Sequence, residues 1–317
     1  MSENVMSGST ATEPSRWARL QDWIYQRNVG GRLTTLMFFL PPALVLFTLF
    51  VFLPISEAFY YSFYKWKGLS ALSESGQFVG LRNYGQILGH SVFHTAVWNT
   101  LKLIILSLVI QLPIALFIAM MVAEKGIANN VFRLIYFLPF ILADIVAGLL
   151  WRYIYDGDYG LVGQISALFG VENFYPLADK DTAYNSILLV VLWKYTGYHM
   201  MIYIAGLQGI PKDLLEAARL DGANWWQTLI RVKLPLIKHA VKLSVFFSII
   251  GGLQFFEMVV PLTNMGPGNS THTVVSYLYQ YGIIRMKVGF GSSVAVILFA
   301  VSVLFAFMYQ KYVMSKD

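Results

Sequence analysis

The sequence predicts an all-α, polytopic membrane protein with six transmembrane helices, and three features carry that prediction. Only 13% of the residues are charged while 57% are apolar; a soluble domain carries about 25% charged residues. Six apolar runs, each long enough to cross a bilayer, follow one another along the chain. The Lys and Arg residues gather between those runs. The net charge of +6 therefore reads as membrane orientation, and nucleic acid is not an expected partner. The chain has no cysteine, which excludes a disulfide framework and a thiolate metal site.

Residues 1–32 open with MSENVMSGSTATEPS, too polar to form a core and expected to be disordered. RWARLQDWIYQRNVGGR follows. Its Trp17, Trp23 and Tyr25 among arginines suit a short cytoplasmic interfacial helix. A secretory signal is not expected, because the polar lead is long and no small-residue cleavage site follows the apolar run.

The first span lies between Arg32 and Glu57, where 24 successive residues are uncharged. At 1.5 Å per residue this covers about 36 Å, against a hydrocarbon core of roughly 30 Å. The second is expected at Val97 to Met121 and the third at Phe132 to Tyr155. The fourth follows at Ile187 to Leu207, the fifth at Leu243 to Leu262 and the sixth at Phe290 to Tyr309. Pro41, Pro42, Pro54, Pro113 and Pro139 fall in or near spans. Membrane helices tolerate them where neighbours satisfy the freed carbonyls.

Orientation follows from the basic residues. On the side of the N-terminus the connecting segments hold fourteen Lys and Arg, on the other side seven. Lys102 and Lys194 fall within spans. The excess places both termini in the cytoplasm. The acidic character of the outer loop from Asp156 to Asp181 agrees. No internal repeat and no phosphate-binding glycine loop is visible.

The segment 211–237 is then a cytoplasmic connection, and it is unusual. Glu216 to Pro235 reads EAARLDGANWWQTLIRVKLP. Pro211 suits a helix start. Asp213 is the expected N-cap, with Glu216 three residues on, as in a capping box. Glu216, Leu220 and Ala223 should share a face. Asp221-Gly222 reads as a stop, Asn224 as the cap of a second short helix, and Pro235 as a break before the fifth span. The small residues Ala217, Ala218, Gly222 and Ala223 would let another surface approach. Two readings stay open on these grounds: a helix that docks on a partner, or one that rests on lipid headgroups through Trp225 and Trp226.

The string Glu216-Ala217-Ala218, Gly222, Leu234-Pro235 resembles the EAA loop of ABC importer permeases. Its fuller form is similar to the carbohydrate-uptake branch, as in the maltose-system F permease. Further echoes are Phe78-Val79-Gly80-Leu81-Arg82-Asn83-Tyr84, Leu138-Pro139, Leu207-Gln208-Gly209-Ile210-Pro211 and Thr263-Asn264-Met265-Gly266-Pro267. The resemblance covers residues 33–315, expected as one permease domain. It implies a type I ABC importer permease fold in the bacterial cytoplasmic (inner) membrane. It implies a heterodimer with a second, homologous permease, two copies of an ABC ATPase subunit, and an extracytoplasmic sugar-binding protein. ATP and Mg would be bound by the ATPase subunits, with no cofactor on this chain. Glu216, Ala217, Ala218, Asp221, Gly222 and Ala223 would form the coupling helix that docks on the ATPase. The maltose permease has two more N-terminal spans and a large outer domain, and neither is expected here.

Ionisable residues within spans are functional candidates by default. By the resemblance, the sugar path takes Phe140 and Asp144, four apart in the third span, and Tyr195 and Tyr198 in the fourth. In the fifth it takes Ser248, Gly252 and Phe255. Gly252 and Phe255 stand where the maltose permease has asparagines, and Gln254 and Glu257 lie beside that face. Asp144 has a second reading, as a structural pair with Lys194. Lys194 and His199 read as structural, and Glu257 has the alternative of facing water at the outer mouth. The five histidines form no HExxH pattern and there is no serine elbow, so catalytic residues are not expected. The competing function is a self-contained ion-coupled secondary transporter. Such a carrier needs no docking helix and often shows inverted repeats.

Overall fold

The computed structural model describes residues 16–17, 28–171 and 174–315, with side chains excepted from 28 to 34. The expected polar tail and nearly all of the interfacial helix lie outside the described residues. The chain divides into two units, residues 1–57 and 58–317.

In the first unit, residues 28–57 are helical throughout. Most of this segment belongs to α1 (Thr35–Tyr61). Pro41 and Pro42 lie inside it and remove two amide donors. A wider π turn follows at Thr48–Phe52.

The second unit begins with a hairpin, β1 (Tyr64–Lys65) against β2 (Gln77–Phe78), in antiparallel register Tyr64 to Phe78. Then come α2 (Arg82–Leu88) and α3 (Ser91–Val122). Asn83 ties α2 to the start of the hairpin by donating to the carbonyls of Ser62 at 2.8 Å and Tyr64 at 3.0 Å. At the far end of α3, Arg133 donates to the carbonyls of Val122, Ala123 and Glu124 at 2.7–2.9 Å. A helix end leaves its last carbonyls unpaired, and this guanidinium supplies their donors.

The chain continues through α4 (Ile127–Ile141), α5 (Asp144–Ile154) and α6 (Leu161–Leu168). Next is α7 (Lys180–Gln208), with fifteen of its 29 residues buried. That share makes α7 the pillar of the unit. The cluster of Met200, Tyr203 and Ile204 packs it on Ala115 and Ala119 of α3. A second cluster joins its Ile187 and Val191 to Leu103, Ala147 and Met258. Then follow α8 (Lys212–Leu220), α9 (Trp225–Leu236), α10 (Lys238–Leu253), α11 (Val259–Thr263), α12 (Val274–Leu278) and α13 (Val288–Met314).

Helices α1, α3, α7 and α13 are each long and apolar enough to cross a membrane, and the number is six if each of the bent pairs α4–α5 and α9–α10 is one span. The expected count of spans is met with two corrections. The third span is not one helix: α4 and α5 meet at 97°, because Leu142 and Ala143 are extended, at ψ 139° and 140°. The fifth begins earlier than expected, at Lys238, and its helix stops at Leu253. The rest of the expected run folds as a separate piece containing α11, with Met258, Val259 and Leu262 buried against Ala147 of α5 and Ile187 of α7.

Candidate functional site

The break in the third span is held from α7. Lys194 is buried to 2% side-chain exposure. Its ammonium donates to the carbonyls of Pro139 at 3.2 Å, Phe140 at 3.3 Å and Leu142. These are carbonyls at the end of α4 and just beyond it, where a cation also meets the negative end of the helix dipole. Asp144, in the first turn of α5, balances the charge at 3.2 Å. Its carboxylate also accepts from the Tyr195 hydroxyl at 2.9 Å. One turn along α7, Gly197 lets α4 come close. A Cβ there would lie 1.9 Å from the Tyr136 carbonyl oxygen.

This geometry places Phe140 and Asp144 on different helices, so the expected shared face is absent. The pair of Asp144 with Lys194, the second of its two readings, is present at 3.2 Å. Phe140 instead turns to a cavity of about 380 Å³. Tyr195, Tyr198, Ser248, Gly252, Gln254, Phe255 and Glu257 line the same cavity, and Asp144 does not. Phe140 and Tyr198 stack with centroids 4.7 Å apart and planes at 24°. Gln254 and Glu257 are exposed, whereas Ser248, Gly252 and Phe255 are buried. Phe255 is largely a core residue, packed in the cluster around Val191 and Leu262.

The cavity floor was not expected from the sequence. Ser248 on α10 donates to the Ser107 hydroxyl at 2.7 Å. Ser107 donates to the Gln111 side chain, and Gln111 donates to the Val191 carbonyl at 3.1 Å. The line of bonds joins α10, α3 and α7. Ser107 and Gln111 bracket a π turn within α3, a distortion frequent at functional sites. His199 also lines the cavity, and its buried Nδ1 has no partner among the described residues.

The loop 211–237 forms two short helices. α8 starts directly behind Pro211, whose φ of −58° and ψ of 133° place it outside the helix. Asp213 is therefore in the first turn and not the cap, and the expected box with Glu216 does not form. The stop is as expected. Ala223 N–H donates to the Ala218 carbonyl and Gly222 N–H to that of Arg219, both at 3.0 Å. Gly222 sits at φ +73° with open space around it; glycine is needed for conformation here, as in a Schellman stop. A capping box does occur, on α9: Asn224 accepts from Gln227 N–H at 2.8 Å and its own N–H donates to the Gln227 side chain at 2.9 Å. Glu216, Ala217, Leu220, Asp221 and Gly222 are exposed, Ala223 is half-buried, and Ala218 is buried. Ala218 thus faces inward. Leu220 is 88% exposed.

Residues 111–316 match the model of the binding-protein-dependent transport system inner membrane component. The sulfoquinovosyl glycerol transport system permease protein SmoG of Agrobacterium fabrum is 30% identical over all of both chains. The arabinooligosaccharides transport system permease protein AraP of Bacillus subtilis is 30% identical over 92% of this chain and 90% of its own. In fold, the chain is similar to one in the crystal structure of a bacterial alginate ABC transporter in complex with alginate pentasaccharide-bound periplasmic protein. The TM-score is 0.77 at 20% identity, covering 92% of this chain and 98% of that one. With most of its length inside the family model and a full-length relative alongside, this chain belongs to the inner membrane components of binding-protein-dependent transport systems, the permeases of ABC importers.

Proposed function

We propose that this chain is one of two homologous permeases in an ATP-driven importer that takes up a saccharide delivered by an extracytoplasmic binding protein. Two ATPase subunits hydrolyse ATP, and this chain contributes passage and coupling without catalytic residues of its own. Both termini face the cytoplasm, as the fourteen-to-seven division of basic residues supports. Glu216, Ala217, Leu220, Asp221 and Gly222 present the docking surface to an ATPase subunit.

The observation that carries the reading is a continuity. The exposed loop of α8 and α9 bends at Ile237 straight into α10, and α10 supplies Ser248 and Gly252 to the cavity. A displacement of the loop is therefore transmitted to the cavity wall through a single helix. The wall itself suits a sugar. The Phe140–Tyr198 stack offers ring faces to C–H groups, and Tyr195, Ser248, Gln254 and Glu257 offer hydrogen bonds to hydroxyls. No Lys or Arg lines it, because Lys194 is engaged with carbonyls. This favours an uncharged saccharide. The ion-coupled carrier finds no support in the family match.

The test is ATP hydrolysis by the assembled complex against a panel of binding-protein and sugar pairs. Stimulation by one neutral saccharide with its binding protein is expected. Uptake that persists when the ATPase subunits are absent would end the reading.

A further inference from the structure

Most polar groups that line the sugar cavity are already engaged or wet. Ser107, Gln111 and Ser248 are bonded to one another and to the Val191 carbonyl, and the Tyr195 hydroxyl donates to Asp144. Gln254 and Glu257 are exposed and Tyr198 is half-buried, so water reaches them. His199 is different. It lines the cavity, its exposure is only 3%, and its Nδ1 has no partner among the described residues.

A buried polar atom without a partner is destabilising and rare, so each one calls for a reason. Packing does not supply it. An apolar side chain would fill the same space, as Met200 does at the next position, fully buried in the cluster with Ala115 and Ala119. Nor does Nδ1 tie α7 to a neighbouring helix, as the Lys194 ammonium does. An ionisable residue within a span that has no structural partner points to the cargo.

The surroundings indicate which chemical group it meets. The rings of Tyr198 and His199 lie 5.1 Å apart with planes at 69°, and Phe247 of α10 closes on Tyr198 at 6.1 Å. All three line the cavity. Aromatic faces take the C–H face of a sugar, whose hydroxyls then stand at its rim. An imidazole set steeply to the Tyr198 ring meets that rim. A hydroxyl both donates and accepts, so it pairs with Nδ1 in either tautomer.

We infer that His199 is a specificity-determining residue of this permease: its Nδ1 hydrogen-bonds one hydroxyl of the saccharide in the cavity and ties passage to the presence of that hydroxyl. The inference rests on the importer reading and deepens it. A site with a buried hydrogen-bonding atom rejects an analogue that lacks the matching hydroxyl, because the atom is then left unpaired, whereas an apolar pocket discriminates little. The aromatic faces and wet side chains of the wall accept many sugars, and His199 selects among them.

The experiment uses the assembled complex in proteoliposomes, with its ATPase subunits, second permease and binding protein. The probes are maltose, trehalose, cellobiose and diacetylchitobiose. The sugar that wild type takes up is compared with its monodeoxy analogues, one hydroxyl removed at a time, each presented on saturated binding protein. Comparing ratios between permeases cancels the binding protein's own preference. In wild type, loss of one particular hydroxyl should lower uptake about tenfold. H199F keeps a ring without a nitrogen. It should lower uptake of the parent sugar by a similar factor and make no further distinction against that analogue, while the other positions keep their wild-type ratios. H199N places an amide near the position of Nδ1 and should recover part of the discrimination. Hydrolysis stimulated by loaded binding protein, at matched complex levels, controls for assembly.

A loss falling equally on the parent sugar and on every analogue would assign the ring to packing and overturn the proposal. So would unchanged uptake with unchanged ratios. Each variant tests the proposal separately, so one that fails to assemble leaves the other decisive, and failure of both would assign His199 to the fold. If wild type takes up none of the four sugars in an ATP-dependent manner, the saccharide reading itself fails and this proposal falls with it.

Discussion

The two bent spans are broken in different ways. Between α4 and α5 the break is locked by polar groups. One ammonium holds three carbonyls, and one carboxylate balances it. Between α9 and α10 the helices meet at 73°. There Ile237 is buried among Met200, Tyr203 and Ile204, and the backbone bonds continue with Ile237 N–H to the Lys233 carbonyl at 3.0 Å. Hydrogen bonds to a buried charge have one good geometry, whereas apolar contacts are non-directional and tolerate sliding. The first break suits a fixed wall and the second suits a lever. In the proposed importer, the fixed part frames the sugar cavity and the lever answers the ATPase.

The sharpest way to break the comparison is Lys194→Met. It strips the donors from the α4 carbonyls and leaves Asp144 uncompensated. Removing one partner of a buried pair costs about 3–5 kcal/mol. The permease should accumulate poorly or melt well below wild type in detergent, and Asp144→Asn in the same chain should restore part of the loss. Unchanged melting would mean that the lock has no energetic weight.

Gly222→Asp probes the lever. At φ +73° a non-glycine residue is strained by about 1–3 kcal/mol, confined to an exposed loop, so the protein should still reach the membrane. Uptake should fall about tenfold at matched permease level, a change of 1.4 kcal/mol in coupling. Sugar-stimulated ATP hydrolysis should fall with it, or run without uptake. Glu216→Ala keeps the backbone and should do less. Because Glu216 belongs to no capping box, any loss of coupling in that variant reports docking and not helix stability. Normal uptake and ATPase recovery in both would return the loop to a mere rest on lipid.

The smallest effect concerns acid. His272 lies between α11 and α12, fully buried, and burial pushes its ring down to about 4, with Arg285 and His90 adding to the shift. The neutral ring is thus favoured in the fold. Above about pH 6.5, the ordinary value, folded and unfolded chains are both neutral there and nothing is lost. As pH falls from 6.5 toward 4, the unfolded chain takes up the proton first and stability declines. Thermal melting between pH 7.5 and 5 should show that slope, and His272→Gln should flatten it.

Much of this was legible in the sequence, for identifiable reasons. Runs without charge mark spans because lipid penalises charge wherever the helix goes. The stop at Gly222 is local chemistry, readable from Asp221-Gly222 and the helix before it. The aromatic and serine positions of the cavity were legible through the family motif. The break at Leu142 was not. Pro139 alone does not end a membrane helix, and the groups that make the bend permanent, Lys194 and Gly197, lie more than fifty residues away. The floor of Ser107 and Gln111 was equally hidden. Its only local signal is two polar residues four apart in an otherwise apolar run, and their partners are on other helices. The cap of α8 failed for a simpler reason: Pro211 starts the helix before Asp213 can cap it.

The bond from Ser248 to Ser107 has a further consequence. It is a polar contact between α10 and α3 in the cavity wall, beside the apolar packing of Gly252 on Leu103 and Ile104. α10 cannot part from α3 without leaving a buried hydroxyl unpaired, which costs about 1–3 kcal/mol. A saccharide hydroxyl arriving in the cavity is a replacement partner for the same serine. In the proposed importer the pair would work as a latch whose key is the cargo, so that an empty transporter would rest closed and waste little ATP. Ser248→Ala should loosen the latch and raise hydrolysis in the absence of sugar, while sugar-stimulated hydrolysis changes less.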